Sequence, residues 1–269
     1  MKIAVLSCIH GNYEALNAVL SDLDHQGAEE IYCLGDLVGY GPYPNAVVEM
    51  IQSLDIPTCQ GCWDEDIVEG LNACECSYPS LLAEVRGKQA HEWTNAHIHD
   101  EVRAYLGQLP LTLKRGDLCF AHGSPQNQHE YLMPEMNAFA ALERVLAADA
   151  RILFCGHTHV PYVRTLEAGT MTVRLHHTPD TEAQAFTTPL RRIVNVGSVG
   201  EPRHGRPNAT YVIYDTDDDQ ITLREVEYDY EKTCAAIIDQ GLPPIFAWRL
   251  AQGLEFAERA DDPSHVCER

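Results

Sequence analysis

The chain has 269 residues, 45% of them apolar and 22% charged, enough to bury a sizeable core and too apolar for a disordered or fibrous chain. Lys and Arg number 19 against 40 Asp and Glu, a formal charge of −21, which repels a polyphosphate backbone and excludes duplex nucleic acid as the natural partner. No run approaches the ~18 apolar residues of a membrane span, and Ile3 to Leu6 is too short for a signal peptide's hydrophobic region. A cytoplasmic location is therefore expected, where the ten cysteines are more apt to pack or bind metal than to pair as disulfides.

In chain order, Ile3 to Leu6 reads as a short buried strand. Leu16, Val19, Leu20 and Leu23 follow at helical spacing until Gly27. The unit recurs with a strand at Ile31 to Leu34, a helical stripe from Ala46 to Leu54 opened by Pro44, and a further strand at Ile56 to Gln60. Such alternation predicts parallel pairing in an α/β sheet. Residues from about Ser80 to Leu109 read as mainly helical, and Thr112 to Leu113 with Leu118 to Ala121 as a hairpin. A helix over Asn137 to Ala147 and a strand at Ile152 to Cys155 come next. Strands at Tyr162 to Leu166, Met171 to Leu175, Ile193 to Val196, Tyr211 to Tyr214 and Ile221 to Val226 imply a second sheet. Two helical pieces divided by Pro243 and Pro244 close the domain. One domain over residues 1–257 is expected, with an acidic tail over 258–269 and a mobile loop at Thr178 to Pro189.

Metal-competent residues gather in the segments that follow the expected strands. They are Cys8, His10 and Asn12 in SCIHGN, Asp36 after Gly35, Cys62 and Asp64 in GCWD, His122 before Gly123, and His157 and His159 in GHTH. Open α/β sheets carry their sites at the carboxyl ends of strands, so these segments should converge on a metal site, with glycines admitting close backbone approach.

This series resembles the calcineurin-like metallophosphoesterase family, whose pattern runs Asp-x-His, Gly-Asp, Gly-Asn-His-Asp/Glu, a single His, and Gly-His-x-His. The stretches GDLVGYGP at Gly35 and NVGSVGEPR at Asn195 are similar to a bacterial and archaeal phosphodiesterase branch. The resemblance implies a four-layer α/β/β/α sandwich of two mixed sheets and a hydrolase with two metal ions per chain. By position it implies Cys8, His10 and His159 on one ion, Cys62, His122 and His157 on the other, and Asp36 bridging both.

The chain departs from that pattern at three places. Cys8 replaces a ligand Asp, Cys62 replaces a ligand Asn, and Trp63 replaces a His that helps protonate the leaving group in many members. Thiolate with imidazole suits Zn²⁺ and iron, with Mn²⁺ next, and selects against Mg²⁺ and Ca²⁺. The implied reaction is in-line attack by a metal-bridging hydroxide on a small phosphorylated substrate. Without the His, leaving groups of low pKa are favoured, so phosphodiesters, aryl esters and nucleotide-type substrates rank above alkyl monoesters.

Other readings stand beside this one. Cys8 and Cys62 also suit a redox or metal-sensing centre with little hydrolysis, packing in a metal-free scaffold, or a disulfide. Cys59 and Cys62 with Cys74 and Cys76 have near-ribbon spacing for a separate zinc site. Cys33, Cys119 and Cys155 read as core, and His91, His97 and His99 as surface residues of a polar helix. Asn12, Tyr40, Trp63 and Arg203 are candidates for lining the substrate pocket, Arg203 because a guanidinium matches phosphate oxygens two at a time. Substrate identity and oligomeric state, including a homo-oligomer, are open at this point.

Overall fold

The computed structural model describes residues 1–71, 81–166, 171–172, 185–186 and 190–254. The expected tail, Cys74, Cys76, Cys267, His176 and His177 lie outside these, as does the Thr178 to Pro189 segment except for Ala185 and Phe186.

The first unit sets the pattern. Strand β1 (Lys2–Leu6) leads to helix α1 (Tyr13–Gln26). Asn12 starts that helix by accepting the Ala15 N–H at 3.1 Å, and Gly27 ends it in the left-handed region. The chain then returns in β2 (Glu30–Cys33), parallel to β1. Helices α2 (Pro44–Ser53), α3 (Cys62–Glu69), α4 (Leu81–His97) and α5 (Asp100–Leu106) follow.

The hairpin of β3 (Thr112–Arg115) and β4 (Leu118–Ala121) opens the second sheet, and α6 (Ala138–Ala147) and β5 (Ile152–Cys155) continue it. Next come β6 (Tyr162–Leu166), the two-residue pair β7 (Met171–Thr172) and β8 (Ala185–Phe186), and β9 (Arg191–Asn195). The chain closes with β10 (Ala209–Asp215), β11 (Gln220–Val226), α7 (Tyr230–Asp239) and α8 (Pro244–Gln252).

One sheet has the order β11-β10-β1-β2 and the other β3-β4-β5-β9-β6, each mixing parallel and antiparallel pairs. Alternation along the strands builds the layers. Ile3 and Val5 point into the inter-sheet core with Phe120, Phe154 and Tyr214. Ala4 and Leu6 face α1 and α2, while Cys119, Ala121 and Leu153 face α6. The result is the expected four-layer α/β/β/α arrangement. Cys33, Cys119 and Cys155 are buried in these cores.

One expected element is absent. Ile56 to Gln60 forms a single bridge, Thr58 to Cys33, instead of a strand. The Cys33 N–H donates to the Pro57 carbonyl and the Cys59 N–H to the Cys33 carbonyl, but Pro57 has no N–H with which to extend a ladder. Among the described residues, no helix is long and apolar enough to cross a membrane.

Candidate metal centre

The segments after β1, β2, β4, β5 and β9 all leave the carboxyl ends of strands, and they meet at one edge of the two sheets. Cys8, His10, Asp36 and His159 place one ligand atom each within 4.8 Å of one another. Asp36, Cys62, His122 and His157 do the same. All seven side chains are buried, and Asp36 belongs to both groups.

The backbone works hard to produce this convergence. Among the described residues, nine that are not glycine have positive φ, and six of these are Cys8, His10, Asp36, Tyr40, His157 and His159. A left-handed conformation costs on the order of 1 kcal/mol or more for a residue with a Cβ, so the strain is concentrated where the donor atoms point inward. Gly61 is fixed by close approach, because a Cβ there would overlap the backbone nitrogen and Oδ1 of Asp36. Asp64 clamps the same turn by accepting N–H groups of Asp36, Leu37 and Gly61 at 2.8 to 2.9 Å. Cys62 opens α3, where the helix dipole favours a thiolate.

Hydrogen bonds decide which imidazole nitrogen faces inward. His10 Nδ1 lies 2.9 Å from the Val38 carbonyl, His122 Nδ1 3.0 Å from that of Leu34, and His159 Nδ1 2.6 Å from that of Glu201. A carbonyl only accepts, so each Nδ1 carries the proton and each Nε2 presents its lone pair. His10 Nε2 and His159 Nε2 then face each other at 3.2 Å. Burial lowers both, His10 to about 3, so neither has a second proton to share at neutral pH. Two opposed lone pairs call for a cation between them.

In the second group, His157 Nδ1 lies 3.1 Å from His122 Nε2 and 3.5 Å from Cys62 Sγ. Asp36 Oδ2 stands 3.5 Å from His10 Nε2 and 3.2 Å from His122 Nε2, so one carboxylate oxygen addresses both groups. Its Oδ1 accepts the Trp63 N–H at 2.9 Å. Burial opposes ionisation of Asp36, but the imidazoles of His122, His10 and His157 hold its carboxyl well below the usual range. Burial and then the Asp36 charge push the Cys8 and Cys62 thiols up. Burial lowers His157 while the Asp36 charge, working against burial, raises His122. The donor set fits two divalent ions, each offered one sulfur, two nitrogens and a share of one carboxylate.

The remaining expected residues are placed as follows. Tyr40 packs on His10 with ring centroids 4.9 Å apart and on Trp63 at 4.4 Å. Asn12 is tied up in capping α1 and in bonds to the Gly200 carbonyl and Tyr228 hydroxyl, both 2.9 Å. Arg203 is almost covered and pairs with Glu201 at 3.0 Å. No disulfide joins Cys8 and Cys62. Cys59 is buried in the inter-sheet core with its Sγ 3.2 Å from the Phe120 carbonyl, and among the described residues it joins no metal-competent group with Cys62. His91 corrects the surface reading of its helix: it is fully buried and stacks on Trp63 at 3.7 Å, whereas His97 and His99 are exposed.

Asp64, expected among the metal-competent residues, instead clamps the turn through backbone N–H groups. Sequence reasoning passed over two residues that shape the site. Glu201, inside NVGSVGEPR, accepts from His159 Nδ1 through Oε2 at 2.9 Å and pairs with both Arg203 and Arg249. Burial would raise its carboxyl, but the Arg249 and Arg203 charges hold it low. Arg249 had no local signal. It lies on α8, buried, 5.0 Å over the Tyr40 ring.

The sequence profile of the calcineurin-like phosphoesterase superfamily domain matches residues 1–219. An uncharacterized protein of Methanocaldococcus jannaschii is 34% identical over 258 residues, which span 93% of this chain and 98% of that protein. The crystal structure of a metallophosphoesterase from Sphaerobacter thermophilus superposes with a TM-score of 0.72 at 31% identity, covering 94% of this chain and 99% of the other. A hypothetical protein from Pyrococcus horikoshii OT3 gives 0.72 at 25% identity, covering 94% and 98%.

Proposed function

The chain belongs to the calcineurin-like phosphoesterase superfamily, and from that membership we propose that it hydrolyses phosphodiesters or nucleotide-type esters with good leaving groups at a dinuclear metal centre. Cys8, His10 and His159 would hold one ion and Cys62, His122 and His157 the other, with Asp36 shared between them. The observation that carries this reading is the sharing of Asp36 Oδ2 between two otherwise complete donor groups. Thiolate and imidazole donors favour Zn²⁺ or iron over Mg²⁺.

Two such ions supply Lewis acidity to phosphoryl oxygens and to an attacking water. The protein's own part is positional. Val38, Leu34 and Glu201 carbonyls fix the imidazole tautomers, which keeps the ligand nitrogens aimed inward. The Trp63 N–H holds Asp36 Oδ1, leaving Oδ2 for both groups. Trp63 itself fills the place of a proton donor with an indole that has no proton to give at neutral pH, and His91 behind it is fully buried. The leaving group must therefore depart as an anion of modest basicity, which ranks activated diesters above alkyl monoesters.

The test is hydrolysis of bis(p-nitrophenyl) phosphate, p-nitrophenyl phosphate and a dinucleoside polyphosphate by protein loaded with Zn²⁺, Fe²⁺ or Mn²⁺. Turnover of the diester above the monoester is expected, and no turnover of any of them overturns the reading. The presence of a thiolate in each group supports one second reading, a redox or metal-sensing centre. Iron-loaded protein with a visible thiolate charge-transfer band and no hydrolysis would favour it.

A further inference from the structure

Helix α3 carries a second set of donors one turn beyond Cys62. Glu65, Asp66 and His129 place ligand atoms within 4.8 Å of one another, with His129 Nε2 2.9 Å from Glu65 Oε2. His129 comes from the segment after β4, so the three are assembled by tertiary folding.

Two buried atoms at this cluster lack a hydrogen bond. Asp66 is 1% exposed and its Oδ2 makes no hydrogen bond, and His91 is fully buried with its Nε2 likewise unbonded beyond their loose mutual contact. These two atoms face each other at 3.5 Å. His91 Nδ1 lies 3.1 Å from the Gly87 carbonyl, so it carries a proton there and Nε2 is the nitrogen left to face the Asp66 carboxylate. A buried carboxylate oxygen and imidazole nitrogen set this loosely apart need a positive charge between or beside them, which a proton or a metal ion supplies. Two carboxylates and an imidazole, backed by a second imidazole, form a nitrogen and oxygen donor set for a first-row divalent cation.

We propose that Glu65, Asp66 and His129, backed by His91, form a further divalent-cation site beside the paired clusters. Asp66 and Cys62 are four residues apart and share a face of α3, so the cation adjoins the thiolate-bearing centre and offsets part of its negative charge. With no sulfur donor, this site accepts Mn²⁺ more readily than the thiolate clusters do.

The experiment loads full-length protein with two equivalents of Zn²⁺ per chain, removes the excess, titrates in Mn²⁺ and follows the free-ion signal by electron paramagnetic resonance, with zinc counted in the same samples. One tightly bound Mn²⁺ per chain is expected, weakened about tenfold or more in Glu65→Gln and in His129→Gln, with zinc content unchanged. Both substituted side chains are partly solvent-exposed, so their loss leaves the fold intact. Wild-type protein that leaves Mn²⁺ free, or variants that bind it as the wild type does, would overturn the proposal. Failure of the dinuclear reading shows separately, as zinc absent from wild type and variants alike.

Discussion

Replacing Glu201 with Gln tests how the fold holds His159 in place. The substitution keeps the size of the side chain and an oxygen to accept the His159 Nδ1–H, but removes the charge that Arg203 and Arg249 share. Arg249 is 1% exposed and Arg203 8%, so neither guanidinium can turn fully to water. Removing one partner of a buried ion pair costs about 3–5 kcal/mol. For a chain of this size that corresponds to a fall in melting temperature of roughly 6–20 °C.

The carboxylate also sharpens the imidazole as a ligand, and losing such a partner costs about 10–100-fold in metal affinity. Thermal unfolding of metal-free protein reads the packing cost alone, and zinc competition against a chromophoric chelator reads the positioning cost. A purely structural Glu201 would lower the melting temperature and leave zinc affinity unchanged. Parental values in both assays would refute the argument that this network supports the site.

Further outcomes follow from the same geometry. Gly61→Ala drives a methyl into Asp36, so it should cost about 1–3 kcal/mol by overpacking and lower zinc occupancy of both clusters, read by unfolding and elemental analysis. If both ions stay at parental affinity, Asp36 does not bridge them. The double variant Cys8→Asp with Cys62→Asn should raise the Mn²⁺ to Zn²⁺ ratio taken up from an equimolar mixture on the order of tenfold, about 1.4 kcal/mol of discrimination. An unchanged ratio would show that the thiolates do not set metal preference. Asp219 is held low by hydrogen bonds from Arg192 and Arg151, so its stabilising effect is full above the unfolded Asp pKa of about 3.9 and is lost as pH falls below it. The melting-temperature gap between parent and Asp219→Asn should be steady from neutral pH down to about 4 and close below that.

Much of the fold was legible because short-range rules governed it. The period of Leu16, Val19 and Leu23 and the Gly27 stop outline α1, to which the structure adds the Asn12 cap. The alternation of Ile3 and Val5 with Ala4 and Leu6 places β1 between two packed layers. Ile56 to Gln60 misled because its apolar pattern suits a strand, while Pro57 withholds the hydrogen bond a strand needs. His91 misled because a polar helix gave no sign that one face would close over Trp63.

The sequence by itself determined which residue types could meet a metal and roughly where they lie, since glycines and donors cluster after strands for reasons each segment carries locally. Only the tertiary structure decided how they meet. That one oxygen of Asp36 faces both groups, that Glu201 links His159 to Arg249 on α8, and that Asp66 confronts His91 depend on contacts between segments far apart in the chain. Spacing along a sequence fixes the phase of a helix or strand. It does not fix which side chains converge when two sheets and their helices close around one edge.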